Sequence, residues 1–499
     1  MNKNKSLLIG NGFDIQVGGD DYLNKWILIR MLAKAKMGKY DELFMDDNIK
    51  QLLISGDELV ELFCNMVSKA NKAIEHEYDE LVKNFKDKDL IKALDDFQYN
   101  HKQRIKSFEE VGMEDWLLIF MIYLIEQQDL LGQYELVKQG FERIIFDAIY
   151  CEGNIQKLYL GLNKRVKAYF SHFDNIFTLN YDNTVEKLTG RKVFHLHGDF
   201  ETKHPSENEK NASGYLRIQS SNNVKFPKQF EHCFCTAILD FSGNKKYKYA
   251  SEMTTAFNVV EQYKKRINCG LESIDNCINS VPLDLQEIVK TAITNDLSVG
   301  QDYYFNEFQH LTGTLTIIGL APQNDSHIFS CINASNLENV IFYHYFDKKT
   351  PDEIEAEAKS ITLPINKKYE IKNIQDLWDE IKISKPERKK YDISDMHLNA
   401  LNIISQSTAI SKKDLLWQLE SVPPTTKRII NELINFEMAK NKYHTSPQDE
   451  EELLSRLRDF GKVLDVISIS PQVFYFFYTT STRASKRKPM HKHKNKRRK

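Results

Sequence analysis

At 499 residues and 41% hydrophobic composition, the chain is long enough for two or three domains with substantial cores. Its 68 basic and 70 acidic residues leave a formal charge of −2, which removes any global electrostatic case for nucleic-acid binding. The seven cysteines lack framework spacing and fit reduced thiols. The longest apolar run, residues 116–125, is far short of the ~20 residues a bilayer span needs, and no apolar leader-like stretch follows Met1. The expectation is a cytoplasmic protein with no membrane partner.

In chain order, a first strand over residues 6–9 runs straight into Gly10-Asn11-Gly12-Phe13-Asp14. Glycines placed there let the backbone turn sharply and approach a phosphate, and a following helix presents free N–H groups. A tight turn without a ligand uses the same residues. From about 20 to 170, Leu, Lys, Glu and Phe recur at helical spacing, which reads as a helical insertion covering a cleft.

Residues 175–179 and 193–196 then read as short buried strands joined by a helix-compatible segment, the unit of a parallel sheet. Thr178, Asn180 and Asp182, then Leu188 and Gly190, then His195-Leu196-His197-Gly198-Asp199 place an amide, a carboxylate and imidazoles at strand ends. Ligands gather at such ends in open parallel sheets. Taken singly, Asn180 and Asp182 serve equally well as helix caps. His195 competes with His197, since residues two apart on a strand share a face.

A second insertion is expected at about 201–309. It is followed by a strand over 315–319, a turn containing Asn324 and Asp325, and a strand over 340–346. Asn324 and Asp325 are ordinary turn and cap residues; His327 follows the Gly319 turn within reach of the cleft, with a helix-face position the favoured reading. A helix is predicted at 374–383. Beyond it, residues 385–482 read as a small helical, winged-helix-like module for regulation or interaction, and 483–499 as a basic disordered tail. Nucleic acid is a partner that the tail permits but the rest of the chain does not favour.

The Thr178-to-Gly198 block resembles the core motif of the sirtuin fold, and residues 8–14 are similar to the opening of the abortive-infection H family of phage resistance proteins. The turn from Gly319 to Asp325 resembles the glycine-rich turn such proteins set against the cofactor ribose. The resemblance implies a doubly wound α/β domain over 1–384 that binds NAD+, with helical insertions at about 20–170 and 201–309. On this resemblance Gly10, Asn11 and Gly12 line the pyrophosphate, Asp14 starts the following helix, and Phe13, Asp14, Thr178, Gly319, Asn324 and Asp325 complete the cofactor site. Gly198 and the resemblance favour His197 as catalyst, and His195 becomes a supporting histidine.

Lysine-deacylating sirtuins carry a zinc ribbon of paired CxxC motifs. Here the nearest approach, Cys233 and Cys235 with Cys269 and Cys277, has the wrong spacing. No metal is expected, and cleavage of the nicotinamide-ribose bond remains as the implied activity. Asn180 would hold water or ribose hydroxyls, His197 would polarise a hydroxyl as general base, and Asp182 would orient the Asn180 turn or meet nicotinamide. The resemblance further implies a homo-oligomeric antiphage effector released by a phage-derived or partner-protein trigger. A silent NAD or ADP-ribose sensor and a nucleic-acid-binding regulator stand as alternatives.

Overall fold

The computed structural model describes residues 4–386, apart from 37–38, 47–50, 53–55, 106–110, 128–133, 221–227, 321–324, 347–349 and 363. Asn324, nearly all of the expected carboxy-terminal module and the basic tail therefore lie outside the described residues.

The apolar runs that open and close the first 380 residues assemble into one all-parallel sheet. Its strands are β1 (Lys5–Ile9), β2 (Asn175–Thr178), β3 (Phe194–His195), β4 (Thr312–Ile318), β5 (Asn336–His344) and β6 (Lys368–Asn373). Their spatial order is β3-β2-β1-β4-β5-β6. This is the order of doubly wound dinucleotide-binding sheets, in which the chain reverses direction between β1 and β4.

Strands covered on both faces need apolar residues in succession rather than in alternation. Leu7, Leu8 and Ile9 of β1 are accordingly all fully buried. Leu8 joins Phe177, Leu315, Ile317 and Phe342 on one face, under Phe308, Ile328 and Ile332. Leu7 and Ile9 face the opposite layer with Phe13, Phe170, Ile318, Leu377 and Trp378. Truncating such a side chain to Ala costs roughly 2–5 kcal/mol.

The sheet departs from the sequence expectation at its margins. β6 is not among the expected strands: only Tyr369 and Ile371 alternate with its charged residues, too short a pattern to stand out, and it lies half-exposed at the sheet edge. β3 ends at His195, and the next two residues form a turn. His197 is thus off the strand, and the same-face argument that set it against His195 fails.

The chain falls into two compact units. One comprises Met1–Ile27, Asp79–Phe97 and Met113–Glu387, and holds the sheet. Within it the helix Met113–Glu126 is buried nearly all round, from Trp116 to Ile125, which makes the long apolar run a core helix. No helix among the described residues is long and apolar enough to cross a membrane. The other unit includes Leu28–Tyr78 and Gln98–Gly112. There Asn71 binds Ile105 through both its amide and its carbonyl, at 2.9 and 2.8 Å.

Candidate active site

Four strands of the sheet end level. Ile318 pairs with Ile9, Ile9 with Thr178, and Thr178 with His195, so the residues that follow all emerge on one rim. The rim spans the β1/β4 switch point, the position where open α/β sheets hold ligands.

The glycines there have a different use from the expected one. Gly10 N–H donates to Ile318 O and Gly12 N–H to Gly319 O, each at 2.9 Å, and Phe13 N–H returns to Gly10 O at 3.0 Å. A Cβ on Gly10 would lie 2.5 Å from Gly319 O, and one on Gly12 2.7 Å from Gly319 Cα. Gly319 has φ +71°, and its own Cβ would lie 2.6 Å from Phe13 N. These glycines let two loop backbones touch, and those N–H groups are spent within the protein. Phe13 is wholly buried in the core, edge-on to Phe170 at 5.5 Å. Asn11 is exposed at the apex of the loop.

Asn180 is pinned from several sides. Its backbone N–H donates to Thr178 Oγ1 at 3.0 Å, and Thr178 in turn donates to Ile9 O at 3.3 Å. Its side-chain Nδ2 donates to Gly10 O at 3.3 Å, and the amide lowers the Asp14 carboxyl against the larger effect of burial. The amide's remaining polar atom is the acceptor Oδ1.

Asp14 and Asp182 are both buried, and their carboxyls interact. Burial, then the charge of Asp182, pushes the Asp14 carboxyl well above the usual range, and burial raises Asp182 as well. Two carboxyls in contact cannot both stay ionised, so this pair retains a proton. Asp182 Oδ1 also accepts from Thr184 N–H at 2.8 Å, opening the helix Thr184–Thr189. Asp14 Oδ1 has no partner among the described residues.

His195 is satisfied on both ring nitrogens. Nδ1 donates to Asn180 O at 3.0 Å, and Nε2 pairs with Glu186. Burial disfavours its charge, but Glu186 outweighs burial and carries the imidazole up to about 9.

His197 meets a residue that the sequence places 130 positions away. Its Nε2 lies 2.8 Å from His327 Nε2, in the buried first turn of the helix Ser326–Ala334. Burial, then Lys246, holds both imidazoles well below the ordinary range, His327 at about 3. Buried Lys246 pairs with Glu114, a residue of the helix Met113–Glu126. Asp325 stands at the N-cap position of the His327 helix without capping it through its side chain. Burial, then Glu114, brings its carboxyl up to about 7.

The rim thus brings together Asn180, Asp182 and Asp14, and separately gathers His197 with Asp325 and His327. The partners Glu186, Lys246 and Glu114 carry no local sequence signal, because each arrives from a different element; His327 has one, its place just after the Gly319 turn. Two groups among the described residues could supply three ligand atoms to a metal: His197, Asp325 and His327, and Asp147, His232 and Cys233. Neither joins two of the cysteines considered for a ribbon; Cys233, Cys235 and Cys277 are buried, and Cys269 is exposed. No family model, curated protein or solved structure matches the chain.

Proposed function

We propose that this protein is an NAD+ glycohydrolase, which cleaves the nicotinamide-ribose bond with water. The observation that carries the reading is the Asn180 amide at the switch-point rim, pinned through Nδ2 to Gly10 O, with Oδ1 left over.

Cleavage of that bond builds oxocarbenium character on the ribose, so the site must hold the sugar and orient one water. Asn180 Oδ1 accepts a hydrogen bond from that water or from a ribose hydroxyl, and it carries no charge that changes with pH. His197 is neutral in its buried setting. It polarises a ribose hydroxyl as a hydrogen-bond acceptor, and its low basicity keeps it from trapping the proton. The proton shared by Asp14 and Asp182 keeps a second full charge out of the rim and keeps Asn180 oriented. Since the N–H groups of Gly10, Gly12 and Phe13 are used internally, the pyrophosphate contact falls to the exposed Asn11. Asp325 and Gly319 bound the ribose side.

Resemblance to sirtuin-like and abortive-infection proteins supports a role in antiphage defence by NAD depletion. An unrestrained NAD hydrolase would poison its host, so we expect a homo-oligomer held weakly active until a phage-derived or partner trigger shifts it toward an open state.

Nicotinamide release by full-length protein, wild type against Asn180→Ala, tests the reading, with thermal melting measured in parallel. A folded Asn180→Ala variant with full activity would overturn it. Binding of NAD+ with no release under any activating condition would turn the site into a sensor.

A further inference from the structure

We infer that His197, Asp325 and His327 form a binding site for a divalent transition-metal ion of the zinc class. All three are more than nine-tenths buried, and one ligand atom from each lies within 4.8 Å of the others. The two imidazoles already aim the same atom at one point, Nε2 to Nε2 at 2.8 Å, with their rings 19° from parallel. A zinc-class ion binds imidazole nitrogen at ~2.0–2.1 Å, which sets two tetrahedral nitrogens about 3.3 Å apart. A displacement of about half an ångström would therefore admit the ion between the rings.

The His327 ring cannot swing away. Gly243 packs against it so closely that a Cβ there would lie 2.4 Å from Nδ1, and Nδ1 has no partner among the described residues. Among the described residues, Nε2 is the ring nitrogen that meets a polar partner. Between two neutral imidazoles only one proton can be shared, whereas an ion accepts both lone pairs.

The Lys246 ammonium near the site is paired with Glu114, and the Asp325 carboxylate supplies the ligand that answers the charge of an ion. Two imidazoles and one carboxylate suit zinc, ferrous iron or cobalt and leave further positions open.

The other three-ligand group is less suited. His232 Nε2 already donates to Asp147 Oδ1 at 3.0 Å, Tyr150 stacks on the ring at 4.0 Å, and the Arg143 guanidinium interacts with Cys233.

The binding site stands on its ligand geometry alone. One consequence rests on the NAD reading: an ion at His197 withdraws that imidazole from the ribose, so metal and turnover exclude one another.

The test uses the full, tag-free chain, stripped with chelator, dialysed and titrated with Co2+ and then Zn2+. The expected result is about one ion per chain. Visible d–d bands should appear without a thiolate-to-cobalt charge-transfer band, and zinc should displace them. His327→Ala and Asp325→Asn should each weaken zinc binding by more than about tenfold, while Cys233→Ala leaves it unchanged. All three variants keep His491 and His493 of the tail, so binding there would be common to all. Failure to bind about one ion, wild-type affinity in Asp325→Asn, or a charge-transfer band lost in Cys233→Ala would each overturn the site. If His327→Ala does not melt as a folded protein, Asp325→Asn decides. Nicotinamide release in the presence of Zn2+ is a separate readout; a chain that binds zinc yet releases no nicotinamide when metal-free keeps the metal site and loses the NAD reading.

Discussion

His195 and His197 are separated by one residue, yet their imidazoles occupy opposite chemical states. His195 ends a strand between a carbonyl and a carboxylate, and the ion pair with Glu186 keeps it charged in spite of burial. His197 lies one turn further on, beyond the last strand pairing, facing a second neutral imidazole next to a buried ammonium. The boundary between support and reactivity on this rim runs between the two rings. A ring with both nitrogens committed to the protein fixes geometry, and one whose neighbour is another uncommitted ring is available to a ligand.

The largest effects should separate those roles. His197→Ala and Asn180→Ala should each lower nicotinamide release by about 100-fold or more, the usual loss for an acid-base group or a positioned polar group. Both variants should stay folded, with a stability loss limited to the ~1–3 kcal/mol of the buried hydrogen bond each gives up. His195→Ala should do the reverse in rank, losing stability first and activity only as the Asn180 carbonyl drifts. Side-by-side turnover and melting curves would decide, and the opposite ranking would exchange the two assignments.

The rim was readable from the sequence because its residues cluster at the ends of apolar runs: Ile9 before Gly10, Thr178 before Asn180, Leu196 before His197, Ile318 before Gly319. Strand type followed from uninterrupted burial of Leu7, Leu8 and Ile9. What could not be read was anything set by the meeting of distant elements. Gly10 and Gly12 look alike whether they face a phosphate or the backbone of Gly319, and only the assembled loops distinguish the cases. His327 looks like a helix-face residue until the sheet brings it to His197. β6 escaped because an edge strand with a solvated face carries polar residues where a central one carries Val or Ile.

The charged member of the pair gives a pH-dependent prediction of intermediate size. His195 is raised from its ordinary value of 6.5 to about 9. Its pairing therefore contributes stability that is fully present below pH ~6.5 and is lost as pH rises through about 9. Glu186→Gln should destabilise the protein by about 2–3 kcal/mol at pH 6, and the gap from wild type should close toward pH 9.5. Urea melts across that range would check it; a gap constant with pH would mean that His195 is neutral and that the contrast with His197 is one of position only.

The smallest effect on stability concerns Asp14, which holds the side chain of Asn180 while His195 holds its carbonyl. The Asp14 carboxyl is raised above its ordinary value of 3.8, chiefly by burial and then by Asp182. A raised carboxyl binds its proton more tightly in the folded protein than in the unfolded chain. The stability linked to it is thus present below pH ~3.8 and is lost as pH climbs through the folded value. Asp14→Asn keeps the shape and an acceptor oxygen for Asn180 while removing the need to hold a proton in the interior. The variant should match wild type in stability near pH ~3.5 and exceed it increasingly as pH climbs toward 8, with nicotinamide release reduced by no more than about tenfold. Urea melts at both pH values, read together with turnover, supply the measurement. A variant less stable than wild type at pH 8 would show that Asp14 is ionised in the fold, and the two sides of Asn180 would then both be held by charge.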